Sequence, residues 1–450
     1  MRTAFAAIRT TAAAGSRVLS ERRAFLVSGI WTLVLRVGGL ASGFALGVVL
    51  ARALGPAEFG IYGLVTTAAA VVMTIAQVGT PQLAVRELSA RAARDDWSGV
   101  KRLLRDFGSA TLLVGCAIGA LALVAAFLLH SSRDHLLYIA EGAGLAILMS
   151  LTALLGAELR GLGALLKGQV MDIAVRPALA FLIVGGLLLA SGRISGHLAL
   201  WVQIGVGLFA ALVSAVWISR SIPVAGRAAP VGSHVPWLKS AVPLGLVDLL
   251  RQLDGSYGVV LVGWLSTAVE LGVFRVAVAC VVVASMPVTI FHVLLAPTIS
   301  RLFQAGQLAE LQRLLTWTSR AMLAIMVPAT AIAWFAGKFL VGLVFGLPYQ
   351  DAWLPLFILT LVQLTYAAFG MGPILLAMCD SERDLIRIYA IAVGCALLAA
   401  IPMTMAWGGA GAAAGPVISA ALIGLLSRRF ARRQLGLEIT CLRWRHALAG

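Results

Sequence analysis

Apolar stretches of about twenty residues alternate with short polar turns along nearly the whole chain. They lie near 25–50, 59–79, 108–130, 137–157, 171–190, 196–218, 241–265, 270–297, 320–345, 353–378, 386–404 and 409–427. A helix rising 1.5 Å per residue needs about 20 apolar residues to cross roughly 30 Å of hydrocarbon. The pattern therefore predicts about twelve transmembrane helices. A membrane barrel would instead show alternating segments of about ten residues. The expected fold is an all-α integral membrane protein, with its helices in two six-helix lobes around a central cavity. The polar interruption at 219–240, holding Pro223, Pro230 and Pro236, divides the stretches six and six and is the expected inter-lobe linker. The expected parts are then a basic arm 1–24, a first lobe 25–218, the linker 219–240, a second lobe 241–428 and a basic tail 429–450.

The basic residues sort by side. Most of the 35 Lys and Arg lie in the arm, in the turn holding Arg86, Arg91 and Arg94, in alternate turns after it, and in the tail. The opposite turns hold only Arg52, Arg133, Arg193 and Lys338. The positive-inside rule then places both termini in the cytoplasm, with the turns around 86–105, 219–240, 301–320 and 379–387. This sorting also accounts for a net charge of +16 and a pI near 10.7. In a soluble chain such values suggest nucleic acid; here the basic residues hold turns against anionic headgroups, and no nucleic-acid partner is expected.

Mean hydropathy of +0.97 with 60% hydrophobic residues leaves no room for a soluble catalytic domain. The five cysteines sit singly, without zinc or disulfide-framework spacing, and read as packing residues. The first stretch is longer than a signal-peptide core and has no clear cleavage site before it, so it is expected to be retained. Glycine-rich runs such as Gly408–Gly415 lack the Lys-Ser/Thr ending of a phosphate loop. No cofactor is expected beyond a coupling H⁺ or Na⁺, and the chain is not expected to be an enzyme.

Charges inside apolar stretches are costly and mark cavities or pathways. Arg36 lies midway along the first stretch, and Asp248, Arg251 and Asp254 lie midway along the seventh. Spacings of three and six place the last three on one helical stripe, expected to face the cavity between the lobes. Arg275, early in the eighth stretch, is expected to line the outer part of that cavity. Arg36, Arg251 and Arg275 are the candidate anion-binding residues, because a guanidinium fork suits phosphate oxygens. Asp248 and Asp254 are candidates for ion coupling or counter-charge. The structural alternative is a buried ion pair of Arg36 with Asp248 or Asp254 that fixes the lobe interface. Asp172 and Arg176, four apart, read as an intrahelical pair, and His292 as a satisfied packing histidine.

The turn after the first stretch, Leu50-Ala51-Arg52-Ala53-Leu54-Gly55-Pro56-Ala57-Glu58-Phe59-Gly60-Ile61-Tyr62, combines a Gly-Pro corner with an acid at the positive end of the next helix. Arg52 is close enough in sequence to pair with Glu58. The turn has a faint echo at Thr267-Ala268-Val269-Glu270-Leu271-Gly272-Val273-Phe274, as parallel repeats of six helices would produce.

With Gly79 and Arg86-Glu87 after it, this first hairpin resembles the opening of bacterial polysaccharide and O-antigen flippases. Those belong to the multidrug/oligosaccharidyl-lipid/polysaccharide exporter superfamily. The helix count, linker position and cytoplasmic termini fit that family over roughly 25–427. The resemblance implies a multi-pass protein of the bacterial inner membrane that turns an undecaprenyl-diphosphate-linked oligosaccharide to the periplasmic leaflet. It also implies membrane lipid, a polyprenyl-diphosphate-linked glycan and polysaccharide-assembly proteins as partners. Two other functions compete. A cation-coupled multidrug exporter of the same superfamily should line its site with acids and aromatics, and a membrane-embedded glycan polymerase or ligase would need catalytic groups at one membrane face.

Overall fold

The computed structural model describes residues 31–223, 237–377 and 383–440 with their side chains, and the backbone alone at 2–30, 378 and 382. Most of the linker, part of the 379–387 turn with Cys379, and the end of the tail with Cys441 lie outside the described residues, as do the side chains of the arm.

The first lobe comprises α1 (Arg2–Gln77), the short α2 (Thr80–Ala92), α3 (Trp97–Leu128), α4 (Arg133–Gly161), α5 (Lys167–Val170), a π-helical turn (Met171–Val175), α6 (Arg176–Ser191) and α7 (Gly196–Ser221). The second comprises α8 (Trp237–Leu265), α9 (Ala268–Ala284), α10 (Met286–Gln304), α11 (Leu308–Phe335), α12 (Gly337–Phe345), a 3-10 turn (Leu347–Ala352), α13 (Trp353–Phe369), α14 (Gly372–Met378) and α15 (Glu382–Phe430).

Among the described residues, nine continuous helical stretches are long and apolar enough to span. Two of them cross twice. α1 turns back at Gly55, which adopts φ 74 with Pro56 behind it, and α15 turns back at Trp407 and Gly408. Both corners use a glycine with positive φ, where a side chain would be strained. With α8, whose four charges lower its hydropathy, the count is twelve crossings, six in each lobe.

The outer surface is inverted relative to a soluble protein. Leu189 is 91% exposed and Trp264 and Phe335 are 86% exposed, as expected where the solvent is hydrocarbon. The largest buried cluster does not sit within one lobe. It joins Leu50, Phe59 and Tyr62 of α1 to Phe274, Phe345 and Tyr349 of the second lobe. The crossings give the molecule two ends: a sparse rim (Gly55, Gly192, Ser266, Lys338, Trp407) and a basic rim (Arg86, Arg160, Arg301, Arg428).

Candidate functional site

Two cavities follow the seam between the lobes. One, of about 480 Å³, lies toward the basic rim between the first arm of α1 and α9–α10. Its wall is mostly apolar, with Leu33, Leu40, Phe44, Val282 and Ile290 beside Ser285 and Thr289, and among the described residues Arg36 is the only charged side chain lining it. The Nε of Arg36 is buried and has no hydrogen-bond partner. A desolvated guanidinium donor facing an apolar cavity is an unmet demand for an anion.

The second cavity, of about 450 Å³, meets the first at Gly43 and Ala279 and runs toward the sparse rim. It is the more polar of the two, with Asp172, Arg176, Gln203, Thr66, Tyr62 and Arg275 in its wall among apolar residues such as Leu46, Leu50 and Met149. Arg176 pairs with Asp172 at 3.1 Å, the intrahelical pair expected from their spacing, yet it serves a cavity. The backbone there is π-helical because Pro177 has no N–H to give the Ile173 carbonyl. That carbonyl lies against Gly39, where any side chain would collide.

Arg275 belongs to the second lobe but lies across the helix surface of the first. It passes over Gly63, where a Cβ would strike its side chain, and its Nη1 donates to the Thr67 hydroxyl at 3.1 Å. Its Nε has no partner. Gln203 donates to the Tyr62 hydroxyl at 3.1 Å, and both line the same cavity.

The α8 stripe does not face one cavity. Asp248 accepts a 2.6 Å hydrogen bond from Gln82 of α2, joining the lobes at the basic rim. Arg251 lies over the Tyr389 ring of α15, 5.6 Å from its centroid. Asp254 turns into the second lobe, where the Tyr366 hydroxyl donates to it at 3.4 Å and its Oδ1 is left without a partner. Six residues span 600° of helix, so the ends of the stripe diverge by about a third of a turn, enough to send the two acids to different neighbours. No ion pair among the described residues joins Arg36 to Asp248 or Asp254. His292 is not satisfied either, since its Nε2 is buried and unpartnered.

The first hairpin and its echo meet each other. Gly60 rests on the Ala268 carbonyl and Gly272 rests on the Pro56 carbonyl, so each echo position packs reciprocally on the other. Glu58 accepts from the backbone N–H of Gly196 at 2.5 Å, and Glu270 accepts from that of Gly409 at 2.6 Å. Each acid thus holds the N-terminus of the last crossing of its own lobe. Arg52 does not pair with Glu58. It donates to the carbonyls of Val344 at 2.9 Å and Leu343 at 2.7 Å, the free carbonyls ending α12. Cys116 and Cys395 are exposed rather than packed.

Two groups were not singled out in the sequence. Gln203 carries no charge, and its role appears only when α7 is seen beside Tyr62. Glu158 is 3% exposed with Oε1 unpartnered. It falls one residue past the stretch 137–157, where an acid reads as part of a turn.

The sequence profile of a family described as "Polysaccharide biosynthesis protein" matches residues 26–303. No protein of curated function matches the chain by sequence. Among solved structures, the inward-facing conformation of a multidrug resistance MATE family transporter of the MOP superfamily is similar at TM-score 0.70 and 14% identity, over 91% of this chain and 98% of that one. A MOP superfamily transporter from Pyrococcus furiosus, described as having a binding pocket of reverse polarity, is similar at TM-score 0.61 and 14% identity, over 91% and 94%. The outward-facing conformation of a MATE family transporter gives 0.58 at 14% identity, over 91% and 95%.

Proposed function

The chain belongs to the polysaccharide biosynthesis protein family, and from that premise we propose that it is a flippase for an undecaprenyl-diphosphate-linked oligosaccharide. It works by alternating access in the bacterial inner membrane, with both termini and the basic rim in the cytoplasm. The observation that carries this reading is the sequence of environments along the seam. A mostly apolar cavity with one unsatisfied arginine adjoins a more polar cavity holding two more, which suits a ligand that is lipid at one end, anionic in the middle and hydroxylated at the other. Arg36 meets diphosphate first, and Arg176 and Arg275 take over the anion or an acidic sugar deeper in, while Gln203 and Thr66 serve sugar hydroxyls.

Because Arg275 and Thr67 come from different lobes, cargo that draws the guanidinium away changes how the lobes are held. That is differential binding to two states, which alternating access requires. Arg251 stands further from the path than Arg36 and serves as a secondary basic group. Asp254, buried with a free oxygen, is the ion-coupling residue, and Asp248 supplies a counter-charge at the basic-rim joint. A multidrug exporter for organic cations is less well supported, because among the described residues the only acid lining either cavity is Asp172, already paired with Arg176.

The test is translocation in sealed proteoliposomes of a defined lipid-linked oligosaccharide. Arg36→Ala and Arg275→Ala are expected to slow it at least tenfold at normal insertion, with Arg36→Lys recovering only part, since an ammonium lacks the bidentate fork. Asp254→Asn is expected to keep downhill exchange but lose the response to an imposed pH or Na⁺ gradient. Wild-type rates in both alanine variants would remove the arginines from the path.

A further inference from the structure

We propose that α12 and the 3-10 turn after it form the gate closing the translocation path at the sparse rim, with Arg52 as its latch. The inference rests on the transporter reading above and adds the moving part. Arg52 is one of four basic residues in the sparse-rim turns, and its two bonds to the Leu343 and Val344 carbonyls cap the negative end of α12. One residue earlier, the Ala51 carbonyl accepts from the Tyr349 hydroxyl at 2.7 Å. Donors therefore cross the same joint in both directions. Phe44 meets Phe345 edge-on at 5.6 Å, and Phe59 meets Tyr349 edge-on at 6.2 Å.

Three features make this joint a gate and not a fixed interface. Leu50 and Phe59 belong to the buried cluster that includes Phe345 and Tyr349, and they also line the polar cavity, so parting the joint unroofs that cavity. The segment on each side is bounded by a glycine corner, Gly55 at φ 74 and Gly346 at φ 106. The latch acceptors are neutral carbonyls near the rim, which water can satisfy once the joint parts. A buried ion pair would leave two bare charges on opening and would be far harder to release.

The reporter is a cysteine at Thr66, in the wall of the polar cavity, in a chain whose native cysteines are replaced. Intact cells receive a membrane-impermeant maleimide from outside, with Ser132→Cys and Ser98→Cys fixing which side the reagent reaches. The first should react and the second should not. Thr66→Cys is expected to react slowly in the parent and about tenfold faster with Arg52→Met and Tyr349→Phe together, which remove three hydrogen bonds. Tyr349→Phe alone keeps the ring packing and should give a smaller rise, so a folding defect in the double variant does not blunt the test. An unchanged rate in both variants overturns the gate, as does rapid labelling already in the parent. The reading needs no cargo, so a failed gate is distinguishable from a failed flippase assignment.

Discussion

At Gly60 and Gly272 the two lobes touch backbone to backbone, and two small effects oppose each other there. Alanine in a helix gains roughly 0.5–1 kcal/mol over glycine. A methyl at either position drives into the carbonyl of Ala268 or Pro56, and forcing extra volume into a packed contact costs about 1–3 kcal/mol. Gly60→Ala and Gly272→Ala should therefore lower the thermal midpoint in detergent, whereas Gly108→Ala, which meets open space, should hold or raise it. Equal midpoints for all three would mean that the crossing is looser than described. The sequence shows these glycines and the matching acids as a faint echo, but not that the echoes face each other. Glu58 reaches an amide 138 residues away, and Arg52 reaches carbonyls 291 and 292 residues away. Its near neighbour Glu58 was the obvious partner in sequence. A helix end that leaves its carbonyls free was the better acceptor in space.

Elements were legible where apolar length decides them and illegible where a break or a distant partner does. The twelve crossings and the Gly55-Pro56 corner follow from the sequence pattern, whereas the corner at Gly408 shows there only as a break between two apolar stretches. The π turn ahead of Pro177 and the short α12 do not: a proline inside an apolar stretch reads as a plain kink, and α12 depends on what packs beside it. The tail segment 436–440 is a further case, reading as a basic end but folding back on the second lobe. Leu437 and Ile439 are buried beside Leu311 and Leu375. The side-chain amide of Gln312 donates to the Glu438 carbonyl at 2.6 Å and accepts from the Glu438 backbone N–H at 2.7 Å. Its carboxylate takes a two-pronged bond from Arg428, at 2.8 and 3.0 Å. Burial works against the Glu438 charge, but Arg428 and Thr440 outweigh it and hold the carboxyl below the usual carboxylate range. A depressed carboxylate adds stability that is full above its unfolded value and fades as pH falls through the folded one. Glu438→Gln should cost about 1–3 kcal/mol at neutral pH, read as a lower midpoint, with the gap from wild type narrowing in acid below about pH 4. A gap that does not change with pH would mean the charge contributes nothing.

For the whole molecule, the arginines on the first and eighth crossings were legible as charges out of place, whereas the two-cavity path they line was not. It needs α1, the π turn, α7 and α9 to converge, and no spacing within one crossing encodes that. The central claim is that this path carries the head of a lipid-linked glycan across the bilayer. The most direct measurement locates that lipid in cells with and without the protein, using an impermeant glycan-modifying enzyme on intact cells and on inverted vesicles. Without the protein, lipid-linked glycan is expected to accumulate on the cytoplasmic leaflet and to be protected in intact cells. Restoring the wild-type chain should expose it outside, and restoring the Arg36→Ala chain should not. An unchanged distribution between the leaflets, with and without the protein, would contradict the account.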